Sequence, residues 1–296
     1  IVYFYAGLAK INSDWLIHAQ PLKIWLKTKY TIPIIGETLL QQNFSYYLFS
    51  WGGMIYDLTI PFLLLYSPTR VFAFIMVIIF HVLTRILFPP IGMFPYIMIF
   101  SCIIFFEGNT HKKIIDKIKK IFKLNFTRSE NLISDVNRFT KNNFAIPVVG
   151  LFFIFQILFP LRSIIYPGEL FWTEQGYRFS WRVMLIEKAG YTTFKVIDNS
   201  NGNFEVVNNL DYLTPFQEKQ MSFQPDMILE YAHFLGNTYK MKGFKDISVY
   251  AESYVTLNGR PSQRFIKKNI DLFKIKLDLK HKNWIIPFND EIKSLL

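Results

Sequence analysis

The chain has 296 residues, 51% hydrophobic and 18% aromatic, with a formal net charge of +11. That length allows two domains, and the single cysteine, Cys102, excludes an internal disulfide and a cysteine-based zinc or iron–sulfur site. The positive charge is concentrated in residues 109–143, where Lys112, Lys113, Lys117, Lys119, Lys120, Lys123, Arg128, Arg138 and Lys141 face only Asp116, Glu130 and Asp135. These residues form a loop between apolar segments, so the charge points to a membrane surface and no nucleic-acid partner is expected.

The chain opens on Ile1 without an initiator Met, a basic n-region or a cleavage site, and it reads as a fragment whose preceding part is missing. Residues 1–9 read as the tail of a transmembrane helix that ends on Lys10, followed at once by Ile11-Asn12-Ser13-Asp14-Trp15. Two readings of Lys10 stand side by side. Desolvation disfavours an ammonium ion, so a lysine half out of water is a candidate base. Alternatively, Lys10 snorkels to the headgroups while Trp15 anchors the interface.

Residues 11–43 read as an extramembrane connection broken at Pro21, Pro33 and Gly36. Spans are predicted at about 44–66, 71–88, 93–106 and 145–166, the third being short and open to a re-entrant path. His111–Leu124 places Ile114, Ile118, Ile121 and Phe122 on one face, as in an amphipathic helix on an anionic leaflet. Beyond Pro167-Gly168 the composition turns to that of a water-exposed domain. Strands are expected at Arg178–Ile186 and Tyr191–Ile197 around a turn at Ala189-Gly190, a helix over Phe216–Tyr239 interrupted by Pro225, and a half-buried strand over Asp246–Leu257 with a turn at Asn258-Gly259. The fold class is therefore a membrane α-helical bundle, 1–166, followed by an extramembrane α+β domain, 167–296. If the basic loop 109–143 is cytoplasmic, parity places both residues 10–43 and the domain after 167 on the outer or lumenal side of a multi-pass protein.

Three ionisable groups fall at membrane depth: Asp57, His81 and Arg85. Such groups normally face a partner or a polar cavity. An Asp57–Arg85 pair across adjacent helices is the structural reading, a site role the functional one. Gly52-Gly53 is expected to allow close helix approach. The run Tyr166 to Met184, with Trp172, Tyr177, Arg178, Ser180 and Trp181, reads either as an interfacial aromatic belt or as the lining of a pocket for an amphipathic ligand.

Several of these stretches, taken in order, resemble the vitamin K-dependent γ-glutamyl carboxylases and their bacterial relatives. They are Phe4-Tyr-Ala-Gly-Leu-Ala-Lys10-Ile-Asn-Ser-Asp-Trp15, Trp51-Gly-Gly-Met-Ile-Tyr-Asp57-Leu, Phe80-His81, Ile91-Gly-Met-Phe-Pro-Tyr96, Trp172-Thr through Tyr177 to Ser180-Trp181, and Leu257-Asn-Gly-Arg260-Pro-Ser-Gln-Arg264-Phe. The resemblance implies that Lys10 is the base that deprotonates reduced vitamin K, with dioxygen and carbon dioxide as co-substrates and no metal. It implies that Tyr177, Trp181, Met184 and His81 contact this cofactor, and that Trp172 and Arg178 border a glutamate-containing peptide or protein substrate delivered at the lipid surface. Asp57 and Arg85 are then structural polar groups of the membrane part. The chain departs from the animal enzymes in having Ala9-Lys10 where they carry two lysines, in Arg85 and Pro89-Pro90, and in lacking a cysteine in the outer domain. It also lacks the upstream histidine and asparagine of the family's site. Quinol oxidation without peptide carboxylation, and a non-catalytic membrane-anchored binding protein, are the alternative functions.

Overall fold

The structure, a computed structural model, describes residues 1–28, 39–123 and 144–295. Pro33, Gly36, Leu124 and the basic residues Arg128, Arg138 and Lys141 lie outside them. Two compact units emerge, each discontinuous in sequence. The first comprises Ile1–Gly7 and Gly53–Phe159, the second Leu8–Gly52 and Pro160–Leu296.

In chain order the helices are α1 (Val2–Ala9), α2 (Ser13–Leu16), α3 (Leu22–Thr28), α4 (Asn43–Leu65), α5 (Arg70–Leu87), α6 (Phe94–Ser101), α7 (Gly108–Phe122), α8 (Ala145–Leu158), α9 (Leu170–Thr173), α10 (Pro215–Met221) and α11 (Pro225–Met241). Three stretches, Asn43–Leu65, Ser67–Leu87 and Ala145–Ile165, are helical, long and apolar enough to cross a membrane, and Phe94–Phe105 is a shorter apolar helix. Their lipid-type side chains, among them Ile55, Phe62, Phe72, Ile79 and Phe152, are exposed, as expected where the solvent is hydrocarbon.

The first unit's core joins Tyr3, Ile60, Leu64, Ala73, Val77 and Cys102. Close helix approach occurs at Gly7, where a Cβ would lie 2.7 Å from Leu58 Cγ. Of the expected pair Gly52-Gly53, Gly52 is exposed and a Cβ there would meet nothing within 4 Å, whereas Gly53 is buried. Helix α7 ends on Lys123 in the left-handed conformation (φ 49°) and buries none of its residues. Its apolar stripe of Ile114, Ile118, Ile121 and Phe122 is exposed.

In the second unit four antiparallel strands stand in the order β2-β1-β3-β4, with β1 Lys188–Asp198, β2 Phe204–Val207, β3 Ile247–Leu257 and β4 Gln263–Arg264. One face carries Phe194, Val196, Val249, Ala251 and Val255, all buried, and α11 packs on β3 and β1. Pro225 occupies the first turn of α11, where its missing N–H costs nothing. It separates two helices. Strand β3 buries Ile247, Val249, Ala251, Ser253, Val255 and Leu257 as the alternation demands. At the turn that follows, Asn258 and Gly259 are both left-handed (φ 49° and 79°), and Arg260 N–H donates to the Leu257 carbonyl (3.1 Å).

Two expectations fail here. Arg178–Ile186 is irregular, because Phe179, Trp181 and Met184 take left-handed backbone (φ 58°, 58° and 60°), which no period-2 strand accommodates. Ala189-Gly190 is no turn; β1 runs through it. Gly190 is required by proximity instead, since a Cβ there would lie 2.6 Å from the Ser222 carbonyl oxygen.

Candidate functional site

Lys10 follows α1 directly, in a stretch fastened on several sides within the second unit. The Asn12 side chain caps α2 by accepting from Trp15 N–H (2.9 Å) and donates to the Ala9 carbonyl (2.8 Å). The backbone of residues 11–13 pairs with the C-terminal tail, Ser13 N–H donating to the Lys293 carbonyl (2.8 Å) and Leu295 N–H to the Ile11 carbonyl (3.0 Å). Asp14 accepts a bidentate pair from Arg260, Nη1 at 2.8 Å and Nη2 at 2.7 Å, and a third bond from Asn258 Nδ2 at 2.8 Å. Arg260 Nε donates to Asp290 (2.7 Å), and these carboxylates hold the guanidinium firmly in its charged form. Trp15 donates through Nε1 to the Ser50 carbonyl (2.7 Å), while Ser50 Oγ donates to the Trp15 carbonyl. The Lys10 side chain is thus set in an immobilised segment. It is 7% exposed, with Nζ 5.5 Å from the centroid of the Trp15 ring.

The segment 172–184 of the same unit is built on strained backbone. Glu174, Phe179, Trp181 and Met184 are all left-handed, a conformation that bulky residues adopt only when their surroundings impose it. Gly176 is also left-handed (φ 79°), and a Cβ there would lie 2.7 Å from Ser163 Cα. Tyr177 donates to the Arg182 carbonyl (2.6 Å) and Ser180 Oγ to the Tyr177 carbonyl, so the chain closes into a compact loop. Burial raises the Tyr177 phenol above its usual range and lowers the Arg182 guanidinium below its own. Glu169 is raised, again by burial, although the Phe171 and Ile292 amides oppose the shift. The Trp181 indole N–H is buried without a hydrogen-bond partner. Arg178 and Phe179 are exposed at the loop's outer side.

Trp172, expected beside the substrate, is a core residue. It is fully buried, its indole donates to the Ile286 carbonyl (2.8 Å), and it packs against Phe265 and Phe288. Its carbonyl accepts from Lys188 Nζ (3.0 Å), which also bonds Glu174 (2.7 Å). Burial lowers the Lys188 ammonium even though Glu174 opposes it. Trp172 thus packs at the base of the 172–184 loop.

His81, Asp57 and Arg85 belong to the first unit. His81 is 2% exposed, with Nε2 hydrogen-bonded to the Tyr3 hydroxyl (2.8 Å), which is itself 3.7 Å from Cys102 Sγ. Its Nδ1 is buried without a partner, and Tyr56, Phe80 and Phe94 enclose the ring. Asp57 is 5% exposed. Arg85 donates to the Pro89 carbonyl four residues on (2.7 Å). No ion pair between Asp57 and Arg85 occurs among the described residues, so the expected cross-helix pair is not formed. The helix end supplies Arg85's acceptor instead.

The sequence pattern did not single out Tyr3, Tyr56, or the Asp14–Arg260–Asn258 bonds. Tyr3 is one of several aromatics in an apolar run, and Asp14 and Arg260 are 246 positions apart. Among the described residues no group of three or more His, Cys, Asp or Glu is placed to hold a metal ion.

A helical region with three candidate membrane-spanning helices, followed by a domain of antiparallel sheet and helices carrying a strained, aromatic loop, defines a membrane protein with an extramembrane α+β domain. Residues 141–291, just over half of the chain, match the family model of the vitamin K-dependent gamma-carboxylase lumenal domain, and residues 1–109 match that of the HTTM domain. The chain belongs to the vitamin K-dependent gamma-carboxylase family, as a carboxylase-like membrane protein. No solved structure matches it at a significant level.

Proposed function

We propose that this protein is a vitamin K-dependent γ-carboxylase-like membrane enzyme that couples oxidation of a quinol to its epoxide with carboxylation of peptide glutamate. The observation that carries this reading is the burial of Lys10, 7% exposed on the Trp15 ring, within a family-matched chain. A snorkelling lysine keeps its ammonium in the headgroup layer; an amine that serves as a base in water-sensitive chemistry is kept from solvent and held in place. The fastening of residues 11–15 to Arg260, Asn258 and the C-terminal tail supports the second description.

The residues present fit an aromatic diol. Reduced vitamin K, when bound, would be oxidised by dioxygen, and that oxidation would supply the strong base needed to take the γ-proton of an unactivated glutamate, whose place carbon dioxide then fills. Lys10 takes the hydroxyl proton. Trp181 offers an unpartnered indole N–H as a donor to an oxygen, and the side chains of Tyr177 and Met184 line the same loop. Arg178, exposed on the 172–184 loop, is placed to meet a glutamate carboxylate arriving from solvent. Dioxygen and carbon dioxide are the co-substrates.

The test is an assay of the full-length protein in lipid nanodiscs with reduced vitamin K, dioxygen, labelled carbon dioxide and a glutamyl peptide. Quinone epoxide and label fixed into the peptide should appear together. Epoxide without fixed label would reduce the activity to quinol oxidation, and absence of both would overturn the enzyme reading in favour of a binding protein.

A further inference from the structure

Helix α7 of the first unit buries none of its residues, yet it carries Ile114, Ile115, Ile118, Ile121 and Phe122, all exposed. At about 100° per residue these side chains fall within one arc of roughly 120°. The charges are sorted around that stripe. Lys112 and Lys119 border it on one side, and Lys117, Lys113 and Lys120 follow on the other. Asp116, the only acid of the helix, stands on the opposite face. Such a helix cannot cross a bilayer, because its lysines would enter the hydrocarbon. Left in water, the stripe would remain unburied.

The start of α7 is tied to membrane-type helices of the same unit. Gly108 follows the apolar helix Phe94–Phe105 within three residues, at most about 10 Å of chain. His111 Nε2 is hydrogen-bonded to the Phe106 carbonyl (3.0 Å). The Phe106 ring in turn packs edge-on against Phe74 of α5, with 5.2 Å between centroids, and Phe74 lies against the unit's core. Phe74 belongs to the candidate span Ser67–Leu87, so the stripe begins close to a helix that crosses lipid. An apolar stripe with cations on both flanks and its acid turned away matches the headgroup–acyl boundary. A zwitterionic leaflet would accept the isoleucines alone, whereas acidic phospholipids also supply phosphates and carboxylates to the lysines.

We propose that α7 is a docking helix for acidic phospholipid. Its stripe enters the acyl boundary of the leaflet, and Lys112, Lys117 and Lys119 hold anionic headgroups along the two edges. The lipid composition of that leaflet then decides whether the segment after the helix Phe94–Phe105 lies on the membrane or stands off it. The site is independent of the reaction proposed above.

The experiment places an environment-sensitive fluorophore on Ile118→Cys of the full-length protein, with Asp116→Cys as the polar-face control. Nanodiscs are made of phosphatidylcholine alone or with part of it replaced by phosphatidylserine, and quenching by a nitroxide-labelled lipid is compared with quenching by aqueous iodide. With phosphatidylserine present, the label at 118 should be quenched by the lipid and protected from iodide, while the label at 116 should stay open to iodide. Added salt should weaken the lipid quenching at 118. At about fivefold per lysine, Lys117→Gln/Lys119→Gln should lower the docked-to-free ratio on the order of 25-fold. Lys219→Gln/Lys240→Gln, exposed lysines on α10 and α11, should leave the ratio within about twofold, separating the helix's own cations from net charge. Ile114→Cys, on the same stripe, repeats the measurement should the label at 118 disturb the helix. Lipid quenching that is equal in both kinds of disc overturns the role of acidic headgroups. A label at 118 shielded from both quenchers means that protein covers the stripe, residues 124–143 of this chain or a second copy, and overturns the lipid site. Protection from iodide by an added oligonucleotide, with no lipid quenching, overturns it in favour of nucleic acid.

Discussion

Lys10 carries the sharpest prediction at the scale of a single residue. Lys10→Met keeps the length of the stem, and a melting curve establishes that the variant is folded before its rate is compared. Loss of a general base lowers a rate by about 10²- to 10⁴-fold, and quinone epoxide formation should fall by that order, with partial rescue by a small exogenous amine at high pH. Near-wild-type epoxide formation by a folded Lys10→Met protein would remove Lys10 from the mechanism. Arg260 acts on the same stretch by holding Asp14, whose side chain is 1% exposed. Arg260→Ala strands that carboxylate with Asn258 as its remaining side-chain partner and should cost about 3 kcal/mol in chemical denaturation of the outer domain; a change within experimental error would mean that the pair is dispensable. Asp198 gives a pH signature. Its carboxylate accepts from the Ser200 hydroxyl and from the amides of Ser200, Asp246 and Lys245, which lower its pKa to about 2. Since the folded value lies below the unfolded value of ~3.9, its contribution is fully present above pH ~4 and is lost as pH falls through about 2. Asp198→Asn should flatten the acid limb of the outer domain's unfolding curve in that window, and an unchanged limb would assign the acid sensitivity elsewhere.

Among elements, Gly190 in β1 tests whether the strand is held by its neighbours. An added methyl would press on the Ser222 carbonyl, to which Thr192 also donates (2.8 Å). Gly190→Ala should therefore destabilise the outer domain by about 1–3 kcal/mol, read as a lowered melting temperature. A turn glycine with positive φ would also suffer, but Gly190 is absent from the left-handed residues, so Gly190→Ser should behave like Ala and not be rescued by Asn. The same position shows what local pattern conveys. The spans and β3 were legible because each follows one period over many residues, and Pro225 and Asn258-Gly259 because their backbone preferences are intrinsic. The 178–186 loop was not, since left-handed Phe, Trp and Met are imposed by packing and leave no mark in composition. In the candidate site, Lys10 and the aromatic segment stood out by residue type, whereas the Asp14–Arg260 clasp and the Tyr3–His81 bond join positions that only the folded chain brings together.

At the scale of the whole molecule sidedness is decisive, because the proposed reaction requires Lys10 and the 172–184 loop to face the compartment that holds the peptide. Lysines of α7 at 112, 113, 117, 119 and 120 outnumber the single Asp116, and basic loops near membrane spans are retained in the cytoplasm. On the parity expectation the stretch Ala145–Ile165 carries the chain out, and the domain after it is expected on the outer side, in keeping with the description of the family model it matches. Ser262, exposed just beyond the turn at Asn258-Gly259, serves as the outer reporter. In intact cells a cysteine at Ser262 should react with an impermeant maleimide, while one at Lys120 should react only after permeabilisation; Cys102, being buried, contributes little background to either. If Lys120→Cys is labelled from outside and Ser262→Cys is not, the orientation is inverted, and a substrate peptide in the outer compartment cannot reach Arg178.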